Sequence, residues 1–346
     1  MHGTREIPAF VATLASAAAR RSPVVVALEM PRDGTPSLDA FLDGDGSAAA
    51  REKLVHDTWW QDRYQDGRRS VAMLDLLESI RALRASGAKI DVLRFDIDQG
   101  AKTSPGERDE RMASTLLVAR KAQPDAVFVV FAGNLHVARK GFPFQPGFTW
   151  MAMHLARAGV RFVSLNARYV EGSAWGCSGS TPEGCGPRYL DSMHTSAAGI
   201  HLEPSADGNY DGWFGVGAAT ASPPAGLPAL AAGLAEKLAH LRETPSAYRA
   251  ASRRAYNAKD FAGCVAALGR IAEHTGVDAY NQACCHALAG QKDLAFERLS
   301  FAVTHGVEDR ASFAADADLA SLHDDPRWSA LISKSAPQVN GGGTKK

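Results

Sequence analysis

Short apolar runs rich in β-branched residues alternate with segments of helical periodicity through the first half of this chain. Residues 24–28, 91–95, 126–131 and 160–165 are too short for buried helices and are typical of buried strands. Between the first two runs, residues 71–83 place apolar side chains three apart on one helix face, with Arg and Glu on the other. This β-α-β-α-β-α-β order predicts an α/β fold, with a mostly parallel sheet and helices on both faces.

Polar side chains follow three of these runs. Glu29 ends the first run, Asp96 ends the second, and the loop after the third holds Asn134 and His136. Open parallel sheets bind ligands outside the carboxyl ends of their strands. We therefore expect Glu29, Asp96 and His136 to lie at one edge of the sheet, with His2 nearby.

The residue types at that edge suit two kinds of chemistry. Neutral imidazole and carboxylate can hold a divalent metal together, or they can act as base and acid around an activated water. Gly133 permits a sharp turn, and the amide of Asn134 can donate to a developing oxyanion. A structural alternative stays open, in which each polar residue only caps the helix that follows its strand.

Five ordered motifs resemble those of one superfamily. They are His-Gly-Thr-Arg-Glu-Ile-Pro at 2–8, Leu-Glu-Met-Pro at 28–31, Trp-Trp-Gln at 59–61, Asp-Gly-Arg-Arg-Ser at 66–70 and Gly-Asn-Leu-His at 133–136. Over roughly residues 1 to 225 the chain is similar to the erythromycin esterase, Tiki, TraB and ChaN-like superfamily. Its members share an α/β core and include ester hydrolases, metal-dependent membrane proteases and haem-binding lipoproteins, so the resemblance implies a fold more firmly than a substrate.

The resemblance implies a role for each matching residue. His2, with Glu6 in the same motif, would belong to the catalytic set and would activate water or bind metal. Glu29 would be its carboxylate partner, and His136 the second histidine. The three residues His2, Glu29 and His136 would also be the ligands of a divalent metal such as Zn²⁺, Mn²⁺ or Co²⁺, with haem as the alternative cofactor.

The residues expected to contact substrate are Arg68, Arg69, Asn134 and Asp96. A guanidinium fork suits a carboxylate or phosphate group, although a solvated helix start is the alternative for the two arginines. Three functions stay open. They are a hydrolase of an ester or amide bond in a small molecule or peptide, a haem- or metal-binding protein, and a catalytically inactive interaction protein.

The start of the chain and one cysteine pair bear on location. In the superfamily a strand ending in Gly-Glu comes before the His-Gly-Thr motif, and this chain begins without it. We expect an in-frame upstream segment that encodes this strand, with a signal peptide ahead of it as one option; a natural shortened form that lacks part of the site is the alternative. Cys177 and Cys185 bracket a loop suited to a local disulfide, whereas a zinc site would need a histidine nearby. Both features favour a periplasmic or secreted location over a cytoplasmic one.

Composition limits the partners. The 38 Lys and Arg residues balance 38 Asp and Glu residues, so no electrostatic footprint for nucleic acid is present. No apolar stretch approaches the roughly 20 residues of a transmembrane helix. With 346 residues, of which 45% are hydrophobic, the chain is long enough for one large domain and one small one.

Turn-forming residues near 221–226 mark a boundary, and an alanine-rich helical module is expected over 243–335. Two Lys-Asp segments within it recur at an offset of 33, which is close to the period of tetratricopeptide repeats. Stacked helix pairs bind peptides, so a protein partner is one expectation, and packing against the first domain is the other. Residues 336–346 are expected to be a disordered tail. The module's cysteines are expected to be packing residues rather than reactive thiols, namely Cys264, Cys284 and Cys285.

Overall fold

The chain forms two compact units. They comprise Met1–Ala239 and His240–Lys346. The computed structural model describes residues 2–104, 106–191, 197–307 and 310–333. The tail predicted for 336–346 lies outside the described residues.

The first unit mixes helices with short strands, as the sequence predicts. Its helices are α1 (Glu6–Ala19), α2 (Leu38–Leu42), α3 (Ala48–Val55), α4 (Val71–Ala85), α5 (Glu107–Ala122), α6 (Met151–Arg157) and α7 (Leu234–Leu241), the last of which spans the division between the units. Its strands are β1 (Val24–Pro31), β2 (Ile90–Asp96), β3 (Val127–Phe131), β4 (Leu165–Arg168), β5 (Glu171–Cys177), β6 (Cys185–Asp191), β7 (Gly199–His201) and β8 (Gly212–Gly215). Pro182–Gly184 and Pro228–Ala231 are short 3-10 helices.

The core of this unit is a three-stranded parallel sheet with β1 in the centre, between β2 and β3. Val24 pairs with Ile90 on one side and with Val127 on the other. Every residue of β1 is buried because alternate side chains enter two apolar layers. Leu28 packs with side chains of α1 and α4, and Ala27 packs with those of α5 and α6. The predicted α/β arrangement is therefore confirmed for these three strands.

The fourth predicted strand, at 160–165, is wrong in position and in pairing. β4 begins only at Leu165 and pairs in parallel with β8, which is antiparallel to β7, in a separate sheet. Just before β4, the N–H of Ser164 donates to the carboxylate of Asp211 (2.8 Å), and the Ser164 carbonyl accepts from the N–H of Asp211 (2.8 Å). The backbone N–H of Ser164 is thereby directed to a side chain rather than to a neighbouring strand, and β4 begins at the next residue.

An apolar cavity of about 670 Å³ lies beside β3. It is lined by residues of α1, by β3 and by residues 160–167. Among the described residues β3 pairs with β1 alone, so β3 is an edge strand of the parallel sheet. The cavity therefore adjoins the edge of the sheet rather than its carboxyl end, although Phe131 and Asn134 at that end contribute to its lining.

Strands β5 and β6 form an antiparallel hairpin in which Cys177 lies opposite Cys185. The two cysteines are joined by a disulfide, as the sequence predicts. The bond closes a short loop at the end of the hairpin and restricts the unfolded chain more than the folded one.

The second unit is helical in its described part. Its helices are α8 (Pro245–Asn257), α9 (Phe261–Leu268), α10 (Gly276–Leu288), α11 (Lys292–Thr304), α12 (Arg310–Ala315) and α13 (Pro326–Ser333), with a 3-10 helix at Ala317–Leu322. Consecutive helices pack together in the pairs α8 with α9 and α10 with α11. Whether these pairs are repeats of the predicted kind stays a prediction. No helix in the described parts of either unit combines the length and apolarity needed to cross a membrane.

The cysteines of this unit correct one prediction. Cys264 and Cys285, expected to serve only in packing, form a disulfide between α9 and α10. Their Cα atoms lie 6.1 Å apart because the two helices pack side by side, a closeness that the separation of 21 residues does not reveal. Cys284 is a buried free thiol, in agreement with a packing role.

Candidate functional site

The Glu29 carboxylate is the centre of a polar cluster at the carboxyl end of the parallel sheet. Its Oε1 atom accepts hydrogen bonds from Arg68 Nη1 (2.9 Å) and Arg108 Nη2 (2.7 Å), and its Oε2 atom accepts one from the N–H of Gly133 (2.8 Å). Burial alone would raise the pKa of Glu29, but Arg68 and the surrounding cationic groups hold that pKa well below its usual range. Glu29 is therefore an ionised carboxylate at neutral pH, although its side chain is only 6% exposed.

The end of β2 supplies a second carboxylate to the same two arginines. Asp96 Oδ2 accepts from Arg68 Nη1 (2.9 Å) and Arg108 Nη2 (2.8 Å), while its Oδ1 accepts from Arg108 Nε (2.9 Å). Asp66 also binds Arg68 through Nε (2.9 Å). Burial would lower the pKa of Arg68, but Glu29, Asp66 and Asp96 raise it above its ordinary value. The two guanidinium groups thus bridge carboxylates at neighbouring strand ends.

His2 enters the cluster from the turn before α1. Its ring lies against that of Phe131, with centroids 4.5 Å apart, and its Nε2 atom is 3.7 Å from Glu29 Oε2. This buried Nε2 has no hydrogen-bond partner among the residues that the structure describes. Burial lowers the pKa of His2 to about 4, so the imidazole is neutral near pH 7.

The glycine after His2 fixes the path of this turn. The carbonyl of Gly3 accepts hydrogen bonds from the N–H groups of Trp175 (2.7 Å) and Ser222 (2.9 Å). A Cβ atom at Gly3 would come within 1.9 Å of the Trp175 carbonyl oxygen. Only glycine permits this close approach, which carries the adjacent His2 into the cluster.

His136 reaches the cluster from the turn after β3. Its Nδ1 atom is 2.7 Å from Asp109 Oδ1, and its Nε2 atom is 3.1 Å from Arg108 Nη1 and 3.9 Å from Glu29 Oε1. The structure therefore brings together four of the residues singled out at the strand ends and the first turn. These four are His2, Glu29, Asp96 and His136.

Three other predicted site residues lie elsewhere. Glu6 Oε2 accepts from the N–H of Thr220 (2.8 Å) and so anchors the start of α1. Arg69 points away from its neighbour Arg68, donates to the carbonyl of Trp59, and stacks over the Trp59 ring at 4.9 Å.

Asn134 is exposed, and its backbone carbonyl accepts from the Tyr210 hydroxyl (3.1 Å). Among the described contacts, none joins the side chain of Glu6, Arg69 or Asn134 to Glu29. Their contacts are those of residues that hold the local structure.

Arg108 and Asp109 were not predicted from the sequence. Both lie in the first turn of α5, in the segment Glu107-Arg108-Asp109-Glu110. The N-terminus of a helix that follows a parallel strand lies at the same sheet edge as the carboxyl end of that strand. A search of helix starts, in addition to strand ends, would have found them.

The predicted metal set, His2, Glu29 and His136, does not fit a cation in this arrangement. Two guanidinium groups already donate to Glu29 Oε1, and one of them also faces the Nε2 atom of His136. A metal ion would need these same lone pairs and would be repelled by the positive charge of Arg68 and Arg108.

A different set of potential metal ligands lies in the second unit. Ligand atoms of Cys284, Asp316 and Asp318 lie within 4.8 Å of one another and could hold a metal ion. The hydroxyl of Tyr280 donates to Asp316 Oδ2 (2.5 Å), and that of Tyr256 donates to Asp318 Oδ2 (2.7 Å). Both carboxylates therefore have proton donors already.

Comparison with known proteins adds no relative to this description. No protein-family model, no curated protein and no solved structure matches the chain significantly.

Proposed function

We propose that the first unit hydrolyses an ester or amide bond, with His2 as the base and Glu29 as its carboxylate partner. The observation that carries this proposal is the buried Nε2 atom of His2, which has no partner among the described residues and lies 3.7 Å from Glu29 Oε2. This distance is too long for a direct hydrogen bond, but one water molecule can contact both atoms from the side.

Such a water is placed for activation. The neutral imidazole of His2 accepts a proton at Nε2 while the water oxygen attacks the carbonyl carbon of the substrate. The ionised Glu29 carboxylate stabilises the imidazolium that forms. When the tetrahedral intermediate collapses, the bond to the leaving group breaks and the imidazolium returns the proton to that group, which restores neutral His2.

Arg108 is the group best placed to stabilise the oxyanion of this intermediate. Its side chain is 27% exposed, against 19% for Arg68 and 6% for Glu29, so it is the member of the cluster nearest to solvent. A guanidinium held by two carboxylates is already oriented before substrate arrives. Preorganised donors of this kind contribute roughly 3 to 4 kcal/mol to acyl transfer.

Metal- or haem-dependent chemistry at His2, Glu29 and His136 is the alternative that the family resemblance implies. It requires Arg108 to leave the Nε2 atom of His136 and the Oε1 atom of Glu29 before these two atoms can act as ligands. The metal-free reaction needs no such rearrangement, and this difference is why we prefer it. A chelator separates the two, because only the metal-dependent reaction is lost on its addition.

The test is a hydrolysis assay of the full chain on aryl esters, macrolide lactones and short peptides, with and without chelator. We expect turnover that resists the chelator and falls at least about 100-fold in Glu29→Gln and in His2→Gln. Glu78→Gln is the matched control, because Glu78 is a half-buried glutamate that pairs with Arg81 on the same helix. Absence of turnover on every substrate would reject the hydrolase and favour a binding protein, whereas full activity in Glu29→Gln would reject the role proposed for Glu29.

A further inference from the structure

The orientation of His136 is determined by two hydrogen bonds that arrive from opposite sides of its ring. One joins Nδ1 to Asp109 Oδ1 at 2.7 Å, and the other joins Nε2 to Arg108 Nη1 at 3.1 Å. A guanidinium group has only donors, so Nε2 must accept the second bond. The proton of the neutral ring therefore lies on Nδ1, where the Asp109 carboxylate accepts it. Each bond alone predicts the same tautomer.

Asp109 is itself held in place. Its side chain is 3% exposed, and its Oδ1 atom also accepts from the N–H of Met151 (2.7 Å), the first residue of α6. The His136 carbonyl accepts from the N–H of Ala152 (2.9 Å), so the same helix start holds the backbone of the histidine. A buried carboxylate with this support has little freedom to turn away from the ring.

We propose that Asp109 is a positioning residue that keeps the lone pair of His136 on Nε2, the nitrogen that faces Glu29 and Arg108. This inference rests on the proposed hydrolysis, to which it adds a second, oriented imidazole beside the reacting groups. Arg108 covers that lone pair in the free protein. By accepting from Nη1, this nitrogen helps to orient the Arg108 guanidinium, which is the group proposed to stabilise the oxyanion.

The test begins with the full-length protein labelled with ¹⁵N at histidine, and His136→Gln identifies the signals of this ring. We expect a pyrrole-type Nδ1 signal, a pyridine-type Nε2 signal, and a downfield Nδ1 proton bonded to carboxylate. An Nε2–H tautomer in the wild-type protein would overturn the proposal, whether or not any variant folds.

Two variants of Asp109 then test whether this carboxylate determines the state of the His136 ring. Asp109→Asn keeps the shape of the side chain but removes its charge, so the Nδ1 proton is no longer bonded to a carboxylate and the ring loses its anionic partner. We expect the downfield Nδ1 proton signal to be lost and kcat to fall roughly 100- to 10,000-fold with little change in KM. Asp109→Glu restores the carboxylate and should recover the downfield signal. An unchanged Nδ1 proton signal in Asp109→Asn would reject the positioning role.

The control is Asp57→Asn, because Asp57 is a buried aspartate that likewise binds one backbone N–H and one side chain, both of Ser37. It should leave the His136 signals unchanged. The outcomes also distinguish this inference from the proposed function. Expected spectra without any hydrolysis would retain the positioning role and reject the hydrolase, whereas hydrolysis with the opposite tautomer would do the reverse.

Discussion

Each of the two units brings a pair of carboxylates close together, but the two pairs have opposite kinds of neighbour. In the first unit, Glu29 and Asp96 are bound by the guanidinium groups of Arg68 and Arg108. We call these four residues, with His2 and His136, the Glu29 cluster.

In the second unit, Asp316 and Asp318 accept hydrogen bonds from the hydroxyls of Tyr280 and Tyr256, beside the thiol of Cys284. We call these five residues the Asp316 cluster. The difference shows that the groups beside a carboxylate determine which groups of a cluster are ionised and which keep their protons.

Cationic neighbours leave a carboxylate ionised and able to stabilise an imidazolium. The pKa of Glu29 is held well below its usual range in this way. A neutral hydroxyl that donates to a carboxylate has its own pKa raised instead. Burial and the bond to Asp316 raise the pKa of Tyr280, and the bond to Asp318 raises that of Tyr256 to about 12. Near neutral pH the Glu29 carboxylate is thus ionised, and the tyrosine hydroxyls of the Asp316 cluster keep their protons.

The largest expected effect is on the stability of the first unit. Arg68→Met should lower its free energy of unfolding by about 3 to 5 kcal/mol, because Glu29 and Asp96 lose a shared partner while they stay buried. Native-state hydrogen exchange of the β1 amides measures this unit separately from the other.

Arg51→Met is the control for that variant. Arg51 pairs with Asp75 on the surface, so its loss should cost no more than about 1 kcal/mol. Adding Glu29→Gln to Arg68→Met should recover part of the loss, since it neutralises one of the two buried carboxylates that would then share Arg108 as their guanidinium partner. Equal losses in the free energy of unfolding in Arg68→Met and Arg51→Met would show that the Glu29 cluster does not depend on Arg68.

A second effect follows from the neutral state of buried His2. Its pKa is about 4 in the folded chain and 6.5 in the unfolded one, so the unfolded state binds more protons between these values. Stability from this residue is fully present above pH 6.5 and is lost as the pH falls toward 4. The loss should reach about 2 kcal/mol between pH 7 and pH 5.

Hydrogen exchange of the β1 amides across this pH range measures the loss. His2→Gln should flatten the slope, whereas His56→Gln, which changes an exposed histidine, should leave it intact. A slope that persists in His2→Gln would assign the proton uptake to another group.

The sequence predicted the Glu29 cluster in part, because strand ends are visible in an apolar pattern. Glu29 and Asp96 end runs of buried residues, and parallel strands bring such ends together. Arg108 lies in the first turn of α5. The sequence of the loop between β2 and α5 does not show that the chain comes back to the same edge of the sheet. No local pattern connects it to Glu29.

The sequence also did not show which of two adjacent arginines faces Glu29. Arg68 and Arg69 are equivalent as residue types, but Gly67 has φ +97°, a left-handed conformation that fixes the direction of the chain before them. Arg68 points to Glu29, and Arg69 points to the carbonyl of Trp59. Which neighbour faces a site depends on backbone direction, which composition and spacing do not specify.

The Asp316 cluster should respond less strongly to the loss of a donor. Tyr280→Phe removes the hydroxyl that binds Asp316, and we expect a cost of about 1 to 2 kcal/mol in the second unit. Tyr256→Phe, at a more exposed position, should cost less than about 1 kcal/mol. Exchange of the α10 amides reports both values. A greater cost for Tyr256→Phe would mean that the bond to Asp318, rather than that to Asp316, maintains this cluster.

The smallest expected effect concerns metal at the Asp316 cluster. Binding through Cys284, Asp316 and Asp318 requires deprotonation of a thiol whose pKa is raised by burial and by Asp316 and Asp318. It also requires the hydroxyls of Tyr280 and Tyr256 to release the two carboxylates. Saturating Zn²⁺ should therefore stabilise the α10 amides by less than about 1 kcal/mol at pH 7.

Cys284→Ala serves as the matched control, because it removes the thiol and keeps both carboxylates with their tyrosine partners. We expect Zn²⁺ to have the same small effect on this variant as on the parent chain. A larger stabilisation that disappears in Cys284→Ala would show that the second unit contains a metal centre. In that case the metal ion would displace the tyrosine hydroxyls from the two carboxylates.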